Sequence, residues 1–100
     1  MSEKACICRR ELNHLNSMQL LLMEALADKD WKRANLYQEF TKEAIEKTGE
    51  CSRADMSSAL NSVNKIPQYI EQHEEGVRPA LRCLEDAFWM SIHKCCVPEK

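Results

Sequence analysis

Six cysteines, three histidines and one dense acidic run are the residues of this 100-residue chain that could do chemistry. Cys6-x-Cys8 near the start and His93-x-Cys95-Cys96 near the end offer soft ligands of the kind zinc takes. Structural zinc sites, however, show two ligand pairs on turns, each spaced by about two to four residues, and that pattern is missing. An up-down-up run of helices would also put the two groups at opposite ends. Cys51 could join Cys6 and Cys8, but it brings only a third sulfur. The expectation is no functional metal, and cysteines that stay reduced and pack as small hydrophobes.

His14 and His73 lie on polar stretches, with no serine or cysteine at a catalytic spacing. Glu71-Gln72-His73-Glu74-Glu75 holds paired carboxylates that acid–base or di-iron chemistry could use, yet such a run is first of all a solvated helix face. Two isolated glycines cannot make a phosphate-cradling loop. No catalytic residue, cofactor or enzyme activity is expected. Lys29, Lys32, Arg33 and Lys42 form no stripe, and acids interrupt them. With a net charge of -2, neither nucleic acid nor an anionic membrane is an expected partner.

The elements that must carry these residues are long and helical. With two glycines and three prolines, 44% hydrophobic and 30% charged residues, the chain reads as one helical-bundle domain over 1–100. Met1-Ser2-Glu3-Lys4 is polar and no apolar run is long enough to span a bilayer, so a cytoplasmic location is expected.

The first helix is predicted from about Glu3 to Ala27, with an inward stripe of Cys8, Leu12, Leu15, Met18, Leu22 and Ala25, and Leu26 beside it. Leu20, Leu21 and Met23 make its second half apolar nearly all round, which offers a second face to a partner. Asp28-Lys29-Asp30 is a turn in which either aspartate could cap the next helix. That helix is predicted from Trp31 to about Lys47, ending at Gly49, with Trp31, Ala34, Tyr37 or Leu36, Phe40, Ala44 and Ile45 inward. Ser52 and Asp55 resemble a capping box for the third.

From Met56 to Cys95 a helical stripe keeps its register: Met56, Leu60, Val63, Pro67, Ile70, Glu74, Val77, Leu81, Leu84, Phe88, Ser91, Cys95. One long helix, kinked at its prolines, is the first reading. A break near Gly76 and Pro79, with a fourth helix folding back, is the alternative. The predicted architecture is thus an all-α antiparallel three-helix bundle. Its third helix, roughly 60 Å long, would overhang the others by roughly 20 Å. The overhang would expose Leu81, Leu84, Trp89 and Ile92, which with Leu20, Leu21 and Met23 form the candidate partner-binding set.

Leu21-Leu22 to Ala27, the acidic turn before Trp31, and Ile70-Glu71-Gln72-His73-Glu74-Glu75-Gly76-Val77 leading into Leu81 resemble the FliT-like flagellar type III export chaperones. The resemblance covers most of the chain. It implies a cytoplasmic chaperone that shields a helical segment of a secreted subunit such as the filament-cap protein. It also implies contacts with the flagellar master regulator and the export ATPase. The same apolar strip would serve a homodimer. It would equally serve a small phage- or plasmid-type anti-regulator that binds a transcription factor by protein contact.

Overall fold

A computed structural model describes residues 4–98, and the side chains of 6–96. It is an all-α bundle. A short strand β1 (Lys4–Cys6) leads into α1 (Arg9–Ala27) and α2 (Trp31–Ser52). Next come α3 (Ser57–Asn64), α4 (Ile66–Glu71), a 3-10 turn (His73–Gly76), α5 (Val77–Cys95) and a strand β2 (Cys96–Pro98). β1 and β2 pair antiparallel, with Cys6 opposite Cys96. The first helix begins at Arg9, not near Glu3: Glu3 lies outside the described residues, and Lys4–Cys6, expected to be helical, form a strand because they pair with β2.

The first turn forms as its residues dictate. Lys29 takes a left-handed conformation (φ 59°), and the Asp30 N–H returns to the Ala25 carbonyl at 2.9 Å. The Asp30 side chain then accepts from the Arg33 N–H at 3.2 Å, so Asp30 is the cap. α1 and α2 pack as an antiparallel hairpin, and α1 buries Leu12, Leu15, Leu22, Ala25 and Leu26 as its stripe requires.

α2 runs past Gly49 to Ser52, five residues beyond the expected end at Lys47. Gly49 is not a cap. It is buried in the last turn of the helix, where a Cβ would sit 2.7 Å from the Met56 side chain, so the missing side chain lets the next segment approach. The helix ends instead on Arg53 in a left-handed conformation (φ 55°). The Ser52–Asp55 capping box does not form either. The Asp55 carboxylate accepts from the Ser57 N–H at 2.9 Å, while the Ser52 hydroxyl donates to the Thr48 carbonyl.

The inward face of α2 is also rotated from the expected one. Ala34, Gln38, Thr41, Ala44, Ile45, Thr48 and Gly49 are buried, while Leu36 and Phe40 are exposed. Thr41 and Thr48 tolerate burial because their hydroxyls donate to the carbonyls four residues back, at 2.9 and 2.8 Å.

The single long third helix does not exist. The chain breaks at Lys65, where Pro67 enters the first turn of α4, and again over Gln72–Gly76, where His73 is left-handed (φ 56°). α5 then returns along α3 and α4 and packs against α1 as well. The molecule is 45 Å in its longest dimension, too short for a helix of roughly 60 Å, so no overhang is left. Glu74, the one stripe position between Ile70 and Val77, is exposed, so it carried no packing information. Within α5 the buried set is Ala80, Leu84, Ala87, Ser91 and Cys95, with Val77, Leu81 and Phe88 half-buried beside it.

The chain therefore goes up, down, up and down. One pole gathers the α1–α2 turn and the 3-10 turn, where Lys29 pairs with Glu74 and Trp31 meets His73 edge-on at 5.0 Å. The other pole gathers both strands, the start of α1 and the ends of α2 and α5. Among the described residues no helix is long and apolar enough to cross a membrane.

Candidate functional site

Two regions carry candidate function: an apolar face on the α1–α2 hairpin, and the pole where the cysteines meet.

The seven predicted partner-binding residues do not form one surface. Leu20 and Leu21 are exposed, as expected, on α1. Met23, Leu81 and Ile92 are half-buried against the core. Leu84 is wholly buried, because the fold-back of α5 makes it a core residue; its assignment to a binding face was wrong. Trp89 is 59% exposed and stands alone on α5.

The larger exposed face was missed because its α2 members were read as inward. Leu36 and Phe40, 52% and 41% exposed, are one turn apart on α2. The Tyr37 ring lies 6.3 Å from Phe40 and shares a cleft with Leu21, Ala25 and the charged Glu24, Asp28, Asp30 and Arg33. Leu21 and Tyr37 thus meet across the hairpin, with Phe40 beside Tyr37, Leu36 one turn from Phe40, and charge at the turn end of the cleft. Large apolar side chains exposed side by side on adjacent helices are the usual mark of a contact surface.

At the other pole, the fold-back brings the end of α5 beside the start of α1, which the expected three-helix path forbade. Four of the six cysteines are paired, contrary to the expectation of free thiols. Cys6 bonds Cys96 across the strand pair, with Cα atoms 4.0 Å apart, and Cys8 bonds Cys51, with Cα atoms 6.0 Å apart. The Ile7 N–H donates to the Cys95 carbonyl at 3.3 Å and draws the same segments together. Cys95 is a buried free thiol 3.8 Å from the Thr48 carbonyl, and Cys83 is a half-buried free thiol on α5. Burial pushes both thiols above the ordinary cysteine pKa, so neither is an activated nucleophile.

Glu11 completes this cluster. It stands one turn into α1 from Cys8, and its carboxylate and the sulfurs of Cys8 and Cys51 all lie within 4.8 Å of one another. It also lines a cleft with Arg10, His14, Ala44 and Lys47. Glu11 escaped notice beside the longer acidic run at 71–75. The signal was there all the same: Cys8-x-x-Glu11-x-x-His14 sets three ligand types along one side of a helix.

No protein-family profile, curated protein or solved structure matches the chain, and nothing in those comparisons places it among the flagellar export chaperones.

Proposed function

We propose that this protein is a small cytoplasmic adaptor that binds a helical segment of another protein, without catalysis. The observation that carries the reading is exposed Leu21, Leu36 and Phe40, with half-buried Tyr37 between Leu21 and Phe40, on two packed helices. The Leu21–Tyr37 cleft, with Phe40 against Tyr37 and Leu36 one turn from Phe40, would take the apolar stripe of an amphipathic helix, anchored every third and fourth residue. The aromatic rings supply most of the contact area at little entropic cost. Acidic residues at the turn end, with Arg33 among them, set which way round a charged partner helix lies.

Among partner classes, the sequence resemblance favours a secreted subunit such as a filament-cap protein, held until export. Contacts with a flagellar regulator and the export ATPase would follow from the same reading. The test is calorimetric titration of the full chain with a synthetic C-terminal helix of a filament-cap protein. Leu36→Asp and Phe40→Asp should each weaken binding tenfold or more while circular dichroism stays unchanged. Undiminished binding by both variants would remove this face from the reading. Failure of the subunit helix, with binding to a transcription factor at the same face, would favour the anti-regulator instead.

A further inference from the structure

We propose that, once the Cys8–Cys51 disulfide is reduced, Cys8, Cys51 and Glu11 hold a zinc ion. A reducing compartment keeps cysteines as thiols, and paired cysteines there serve metals more often than cross-links. Ligands around a tetrahedral zinc, with Zn–S near 2.3 Å, lie roughly 3.5–4 Å from one another. The three donor atoms already lie within 4.8 Å of each other, so small side-chain rotations after the sulfur–sulfur bond opens would suffice.

The backbone that holds them is rigid. Cys8 caps α1, Glu11 is in its first turn on the same side, and Cys51 is in the last turn of α2. Those two helices pack along the whole hairpin. Cys8 is buried, Glu11 half-buried and Cys51 exposed, so the site has a closed wall and an open side. Glu11 makes no hydrogen bond or ion pair among the described residues, which leaves its carboxylate free to ligate.

Two thiolates and a carboxylate carry one more negative charge than zinc neutralises. Arg10, which lines the same cleft as Glu11, offsets the excess; Lys47, also in that cleft, is paired with Glu43 at 3.4 Å. Thiolate donors select zinc over magnesium or calcium. The fourth position faces the open side and takes water or an outside thiol.

The opening step is thiol–disulfide exchange. A small dithiol gives two electrons to the Cys8–Cys51 bond and becomes a cyclic disulfide, leaving two cysteine thiols. Zinc then binds with loss of both thiol protons to solvent. The end of α2 is thus tied to the start of α1 by sulfur in one redox state and by metal in the other.

The test uses the full chain, reduced with a phosphine and freed of metal, titrated with cobalt(II) and then displaced by zinc. The expected result is a thiolate-to-cobalt charge-transfer band that saturates at one equivalent. The band should vanish in Cys8→Ser and Cys51→Ser and persist in Cys6→Ser and Cys96→Ser. Glu11→Gln should weaken binding about tenfold or more. The oxidised chain should give no band. No band in the reduced chain, equal binding by the oxidised chain, or full affinity in Glu11→Gln each overturns the site. Should the Cys8 and Cys51 variants fail to fold, Glu11→Gln, compared with the equally reduced wild type whose helicity is checked by circular dichroism, and the oxidised chain decide the matter, since neither replaces a cysteine.

Discussion

The backbone of Gly76 lies so close to the carbonyl of Tyr69 that a Cβ atom at position 76 would overlap that oxygen. This approach of the 3-10 turn to the last turn of α4 lets α5 reverse and pack beside α3. The atom in the way is backbone, so the turn itself would have to shift. Gly76→Ala should therefore cost about 3 kcal/mol of stability. At Gly49 a Cβ would meet the Met56 Cγ at 2.7 Å and the Ala54 carbonyl oxygen at 3.3 Å, a milder clash that alanine's helix propensity partly offsets, so Gly49→Ala should cost less, about 1–2 kcal/mol. Urea unfolding of the two variants measures the contrast. Equal costs would mean the reversal at Gly76 is looser than described.

Leu84 and Trp89 separate core from surface on α5. Leu84→Ala should lower stability by about 3 kcal/mol, as truncation of a fully buried leucine does. Trp89→Ala should change it by less than about 1 kcal/mol. Thermal melts followed by circular dichroism give both values. A large loss at Trp89 would show that α5 is rotated about its axis.

The two disulfides join residues 90 and 43 positions apart. Closing loops of those lengths in the unfolded chain is worth about 4–5 kcal/mol each in the loop-entropy estimate. The oxidised protein should therefore lose several kcal/mol when a metal-free phosphine is added. Guanidinium titrations with and without the phosphine measure this, and identical midpoints would show that the native protein does not hold these bonds.

Asp55 provides an acid-side test. Hydrogen bonds from the side chain and backbone N–H of Ser57 hold its carboxyl below the usual pKa. A carboxyl lowered on folding contributes fully above its unfolded pKa, and that contribution is lost as pH falls through the lower folded value. Asp55→Asn should thus be less stable than wild type at neutral pH, and the gap should close below about pH 4. A gap that widened on acidification would contradict the capping role.

The helical class, α1 and the Asp28–Asp30 turn were legible because each rests on local signals. The Leu12–Leu26 stripe and an aspartate at a helix start need no knowledge of what packs against them. The inward face of α2 was not legible, since Phe40 and Thr41 differ in type as expected but not in placement. Thr41 goes inward because its hydroxyl finds a carbonyl within its own helix. The reversal was legible only as the alternative to one long helix: a stripe with the right period on both sides of Gly76 fits one helix or two, and the Tyr69–Gly76 approach decides for the break. That error hid the cysteine pole, because partners 90 residues apart cannot be paired until the path of α5 is known.

The Cys6–Cys96 bond has a mechanical consequence. Tension applied to β1 and β2 from outside runs through the strand pair and the sulfur–sulfur bond, in parallel with the bundle. The helices between them carry almost no load. In the oxidised protein a pull on the ends leaves the interior unstretched. In the reduced protein the same pull could draw out the chain between Cys6 and Cys96, 90 positions apart, roughly 300 Å of chain. Any machine that must thread this polypeptide end-first would meet a knot-like stop in one redox state and a linear strand in the other.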